Sequence, residues 1–223
     1  MAEPSKTCSN LADYPISVWG AVGGSINHTP LICGGKLRTN ELEGYMSACY
    51  SHDVNSDSWT LVGNLAKARH RIGSGIVTDD GRLWVTGGRH RFTKELDTTE
   101  FASLDGTITS GPTLPVGRNN HCMVKLNSNE SMIIGSREPV NLRKNTLIYN
   151  FATSSFTDGP VLNHMRFDSA CTKFKSQLHG NREVILVASG GEGASGPYVT
   201  AELLDFTQEN AEWTLSKGPS ISK

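Results

Sequence analysis

The chain has 223 residues, with 21 Lys and Arg against 22 Asp and Glu, 23 glycines and 37% apolar residues. This is the composition of a globular chain with a sizeable core, and its near-neutral balance argues against bulk nucleic-acid or membrane-surface binding. The first ten residues, MAEPSKTCSN, are polar, and the longest clean apolar run, Val184 to Ala188, is five residues. A chain of this kind is expected to be cytoplasmic rather than exported or membrane-anchored, unless it is part of an exported precursor. The five cysteines (Cys8, Cys33, Cys49, Cys122, Cys171) are widely spaced and contain no CxxC pair. They are expected to be small buried apolar residues, not a zinc site or a disulfide framework. Two glycosylation sequons, Asn27-His28-Thr29 and Asn129-Glu130-Ser131, matter only in a secreted context.

In chain order, four segments repeat one pattern, an apolar run closed by glycine. They are LICGG (31–35), LWVTGG (83–88), MIIGS (132–136) and ILVASGG (185–191), and their first glycines are Gly34, Gly87, Gly135 and Gly190, at intervals of 53, 48 and 55. A bulky residue followed by Thr runs in step at Trp59, Ile108, Phe156 and Trp213. A glycine follows each (Gly63, Gly111, Gly159, Gly218), and Arg69, Arg118 and Arg166 follow the first three at spacings of 49 and 48. Several landmarks sharing one period of about 50 indicate a repeat architecture.

Each period reads as four short strands. In the second copy, strand a is expected near 72–78, a tight turn at Asp79-Asp80-Gly81, strand b at 82–86, strand c near 99–104 and strand d near 107–110. Strand b is apolar on both faces, as in a sheet covered on both sides. Glycines at its end admit positive φ and close backbone approach.

These residues resemble the kelch repeat: Gly34-Gly35, Gly87-Gly88 and Gly190-Gly191; Trp59 and Trp213; Gly111-Pro112, Gly159-Pro160 and Gly218-Pro219; then the arginines. The resemblance implies an all-β propeller with four recognisable four-stranded blades, about 16–65, 72–114, 121–162 and 169–221, preceded by an N-terminal segment, 1–15. Kelch propellers usually resemble six-bladed rings, so the four blades read either as a closed set or as part of a larger ring, and residues 10–15 resemble the tail of a preceding repeat. Ser136 stands where the repeat has its second glycine, and Ile108 and Phe156 stand where it has Trp. The third blade is therefore expected to be locally rearranged.

Other motifs carry less. Gly191 to Gly196 reads GxGxxG, yet it falls in register with the repeat and lacks a βαβ unit, so it reads as a b–c loop. SLDGTIT (103–109) reads as a c–d turn. His70, His90 and His121 lie in loops of adjacent blades but form no HxH or HExxH metal pattern. Cys49-Tyr50, adjacent on one strand, cannot form the Tyr–Cys crosslink of copper-dependent kelch-type oxidases. The Glu-x3-Asp-x3-His pattern of iron-dependent relatives is missing. No metal, cofactor or catalytic set is expected.

Strands alternate in direction, so b–c and d–a loops emerge on one face. Those loops hold 13 of the 21 cationic residues, diluted by Glu41, Glu43, Glu95, Asp97, Glu138, Asp168 and Glu192. Arg69, Arg118 and Arg166 recur with the repeat and are expected to bond backbone between blades. Arg71, Arg89, His90, Arg91, His121, Arg143 and Lys144 are the candidate binding residues, with an acidic peptide or protein as partner, no nucleic acid and no membrane. The expected function is a non-catalytic protein–protein interaction module. The alternatives are a mutarotase- or epimerase-like enzyme acting on a sugar in the central channel, or, as the resemblance implies, a fragment of a ubiquitin-ligase substrate adaptor.

Overall fold

The computed structural model describes residues 11–37, 44–92, 94–191 and 200–216. Among them the chain is all-β, in six antiparallel sheets, with two 3-10 turns at Val140–Leu142 and Gln177–His179 and no α-helix. No helix of the described residues is long and apolar enough to cross a membrane. A short lead-in strand, β1 (Val18–Trp19), precedes the first four-stranded sheet, β2 (Val22–Ile26), β3 (Thr29–Cys33), β5 (Ala48–Asp53) and β6 (Ser58–Asn64); β4 (Lys36–Leu37) pairs back onto β1. The second sheet is β7 (Ile76–Val77), β8 (Leu83–Thr86), β11 (Thr99–Ala102) and β12 (Ile108–Ser110), with β9 (Arg89–His90) and β10 (Lys94–Glu95) as a separate ribbon. The third is β13 (Cys122–Lys125), β14 (Glu130–Ile134), β15 (Thr146–Asn150) and β16 (Ser155–Asp158), and the fourth is β17 (Ala170–Ser176), β18 (Arg182–Ala188), β19 (Ala201–Leu204) and β20 (Thr214–Ser216). Each of the four is a simple up-and-down meander.

The sheets stack in chain order, and side-chain alternation explains how. All four residues of β8 are buried. Leu83 and Val85 pack with Val22, Leu31 and Cys33 of the first sheet, whereas Trp84 joins Ile76 and Phe101 against Met123, Ile133 and Tyr149 of the third. The other face of the third sheet, Val124, Met132 and Ile134, meets Ile185, Val187 and Leu204 of the fourth. A strand buried on both faces needs apolar residues at consecutive positions, which is why LWV, MII and VILV recur.

The glycines lie at the junctions between these sheets. Gly34 and Gly87 have φ of 72° and 56°, and a Cβ added to them would come within 2.8 and 2.3 Å of the carbonyl oxygens of Arg69 and Arg118. The next residue, Gly35 or Gly88, donates its N–H to that same carbonyl at 2.8 and 2.9 Å. In the third sheet Gly135 and Ser136 repeat the arrangement against Arg166; Ser136 escapes the left-handed region and its hydroxyl donates to the carbonyls of Asn119 and Glu138. The fourth sheet differs from the sequence alignment by one residue. Ser189 (φ 60°) holds the first-glycine position, donating to Thr200 O as Gly87 does to Thr98 O, and Gly190 (φ 97°) holds the second. Gly191 therefore lies one place beyond the pair, where its N–H bonds Phe167 O as the Arg89 N–H bonds His70 O.

The cysteines correct the sequence reading. Cys33 and Cys49 face each other directly across β3 and β5 and form a disulfide, and a second disulfide joins Cys122 on β13 to Cys171 on β17. The second crosses between sheets and is separated by 49 residues, one repeat period. Closing a loop of that length restricts the unfolded chain. Cys122→Ser is expected to lower stability by about 3 kcal/mol in urea unfolding under oxidising conditions, and the wild type should lose more than this when reduced, because reduction also opens Cys33–Cys49.

Candidate functional site

Two buried ion pairs hold the loops that form the cationic face. Arg69, fully buried, donates to Glu100 Oε1, to the carbonyls of Gly87 and Thr98, and to Thr98 Oγ1. Glu100 also accepts the backbone N–H groups of Ala66 and Lys67, so one carboxylate fixes both the guanidinium and the d–a loop. The fourth sheet repeats this: Arg166 donates to Glu202 Oε1 at 2.9 Å and to Ser189 O, Thr200 O and Thr200 Oγ1, while Glu202 accepts from the amides of Asn163 and His164. Paired and multiply hydrogen-bonded charges are the form in which burial is tolerated.

The middle junction lacks the acid. In strand register, Glu100 lies opposite Val85 and Glu202 opposite Val187; the equivalent residue opposite Ile133 is Leu147. Arg118 is consequently buried with only Nη2 engaged, on Asn145 Oδ1 at 3.0 Å, and its Nε and Nη1 have no partner. Burial pulls its pKa down to about 10, opposed in part by Asp158.

The two residues after each arginine, with Trp19-Gly20 before the first sheet, line this end; at the first of these positions only Trp19 is exposed, and His70, Asn119 and Phe167 are buried. Trp19, His70, Asn119 and Phe167 hold the first position. Gly20, Arg71, Asn120 and Asp168 hold the second, all with φ between 52° and 66°. Arg71 lies over Trp19, 5.5 Å from the ring centre, Lys36 over Tyr45 at 5.3 Å, and Arg137 and Arg143 over Phe167 at 5.3 and 5.1 Å. Arg137 reaches Asp168 at 3.7 Å and Arg143 reaches Glu138 at 3.6 Å, but Lys36, Arg71 and Arg89 make no ion pair among the described residues. Burial lowers the Arg71 pKa, and repulsion from Arg137 and Arg89 adds to it, opposed in part by Asp168 and Tyr45. His70 lies edge-on between Trp19 and Tyr45, with no hydrogen bond to either ring nitrogen, and is held neutral: burial first, then Arg71, Lys36 and Arg89, push its pKa down to about 4.

Of the residues expected to bind, Arg71 and Arg89 belong to one cationic cluster, and Arg143 adjoins it through Arg137, whose carbonyl it bonds at 3.0 Å. His90 borders Tyr45 and Phe92, Arg91 lies over Phe92, 4.9 Å from the ring centre, and Lys144 is exposed. His121 does not belong to this surface: it is 2% exposed and bonds Thr86 Oγ1 at 2.7 Å. His70, His90 and His121 therefore do not converge, and among the described residues no three His, Cys, Asp or Glu side chains group to hold a metal. Trp59 and Trp213 use their indole N–H groups on the carbonyls of Ala12 and Pro160. Arg38, Glu41, Glu43, Glu192, Gly193 to Gly196, Gly218, Pro219 and Cys8 lie outside the described residues.

The sequence reading missed the aromatic half of the face. Trp19 is 41% exposed and Phe92 76%, so both rings are open to a partner. A usable signal was present: Trp19-Gly20 precedes β2 as His70-Arg71 precedes the second sheet and Phe167-Asp168 the fourth. Compared with known proteins, the chain matches no family model and no curated protein.

Proposed function

We propose that the four meander sheets are consecutive blades of a kelch-type β-propeller and that the chain is a non-catalytic module binding an acidic peptide or protein segment at the b–c/d–a face. The observation carrying this reading is the cluster of Lys36, Arg71 and Arg89, without ion pairs among the described residues, set beside open Trp19 and Phe92. Unpaired guanidinium groups suit carboxylates, and aromatic rings beside them suit the apolar part of a peptide. The sheet order, the repeated junctions and the two arginine–glutamate pairs support the propeller. The two disulfides favour an oxidising compartment. The sequon asparagines Asn27 and Asn129 stand exposed in a–b turns, away from the cationic loops.

The test is binding of a labelled polyglutamate peptide at physiological salt, with polylysine as control. The reversal Arg89→Glu/Arg91→Glu is expected to weaken binding at least about a hundredfold, as loss of two charge-assisted contacts requires. Unchanged affinity in the folded variant would overturn the reading.

A further inference from the structure

The two Asn-x-Ser/Thr triplets, Asn27-His28-Thr29 and Asn129-Glu130-Ser131, fall at equivalent places in the fold. Asn27 lies in the turn between β2 and β3, and Asn129 in the turn between β13 and β14, the a–b turns of the first and third sheets. Strands alternate in direction, so both turns emerge at the end opposite the cationic loops. Both asparagines are exposed, and neither side-chain amide makes a hydrogen bond among the described residues. Asn27 and His28 have φ of 48° and 67°, the two left-handed residues of a tight hairpin turn, where Asn is favoured. Asn129 has no such backbone role. Its turn is held by Asn127, whose Oδ1 accepts the Asn129 N–H and whose amide donates to Glu130.

Cys33–Cys49 and Cys122–Cys171 are formed, and thiols pair in the compartments through which secreted proteins pass. Exposed Asn-x-Ser/Thr triplets are glycosylated in such proteins. We propose that Asn27 and Asn129 are N-glycosylation sites, so that sugar covers the a–b end and leaves the cationic face bare. At each, the side-chain nitrogen bonds to the anomeric carbon of an oligosaccharide carried on a lipid diphosphate. The carbon–oxygen bond to the diphosphate breaks, the diphosphate leaves with the electron pair, and the amide loses one proton to solvent. The two sites differ in timing. Thr29 keeps partial exposure, but Ser131 is fully buried on β14, between β13 and β15, and its Oγ has no partner. Folding of the third sheet therefore withdraws the hydroxyl of that triplet. Asn129 is modified before the sheet closes, and Asn27 has the longer window and the fuller occupancy.

This inference is independent of the peptide-face reading and rests on the compartment that the disulfides favour. The test is the non-reducing mass of the protein isolated from the cells that make it, before and after peptide N-glycosidase, which leaves Asp where a glycosylated Asn stood. Sugar is expected at both sites, with conversion at Asn27 at least as complete as at Asn129. Thr29→Val, which removes the hydroxyl and keeps the turn, and Asn129→Gln, expressed in the same cells, should each lose one sugar chain. Enzymatic removal of the sugar should leave polyglutamate affinity within about twofold, because the sites and the face lie at opposite ends. Unmodified asparagines would overturn the proposal. The same spectrum then says what failed: free thiols would point to the compartment, intact disulfides to the sites. Fuller occupancy at Asn129 than at Asn27 would contradict the timing.

Discussion

Glu202→Ala is expected to destabilise the protein by about 3–5 kcal/mol, the usual result of removing one partner from a buried ion pair. Glu202 is fully buried and accepts from Arg166, from the amides of Asn163 and His164, and from the Asn163 side chain. Its loss leaves a buried guanidinium short of its counter-charge and two backbone donors unpaired. Glu100→Ala should behave alike, because Glu100 holds Arg69, Ala66 and Lys67 in the same way. Arg118 supplies the internal contrast. Its Nε and Nη1 are already unpaired, so Arg118→Met removes an under-satisfied buried charge and should change stability by less than about 1 kcal/mol, or raise it. Urea unfolding of the three variants decides the matter: equal losses at Arg118 and Glu202 would contradict the inequivalence of the junctions.

Acidification from pH 7 to pH 5 is expected to cost about 4 kcal/mol through two histidines. Burial is the first cause for both: His121, with Arg118 adding, is pushed down to about 3, and His70, with its three cationic neighbours adding, to about 4. Both folded values lie below the unfolded value near 6.5. The unfolded chain therefore binds the protons first, so stability is full above about pH 6.5 and is lost as pH falls toward the folded values. Each group contributes about 2 kcal/mol by pH 5 if it stays neutral in the fold. The carboxylates with lowered values, Asp53, Asp80, Asp105 and Asp205, titrate below this window. Urea midpoints at the two pH values give the loss, and ring-carbon NMR shifts identify the residues: His70 and His121 should show no titration above pH 5. Titration of both near 6.5 would contradict the burial argument.

The repeat was legible because its landmarks answer local backbone demands. A glycine recurs where a Cβ would strike the carbonyl of the next arginine, and strand apolarity recurs where both faces are covered. The shift in the fourth sheet was not legible, because Ser189 adopts the left-handed conformation and so hides the true first position behind Gly190 and Gly191. The disulfides were half legible. Cys122 and Cys171 lie about one period apart, which places them on neighbouring first strands, one position out of step (opposite Ile134 and Val187), whereas pairing Cys33 with Cys49 needs the β3–β5 register across a loop whose geometry the sequence does not fix. The binding face was legible as charge and not as aromatics, since single aromatics in loops carry no periodic signal. His121 was misplaced for a similar reason: position in a d–a loop does not say whether a side chain turns out to solvent or in toward Thr86.

The most direct measurement is an amide NMR titration with the polyglutamate peptide, read residue by residue. The account predicts that shifts concentrate at Lys36, Tyr45, Arg71, Arg89 and Arg137, and that the far turns at Asp79 and Asp105 stay still. Shifts centred on those far turns, or none at saturating peptide, would contradict it.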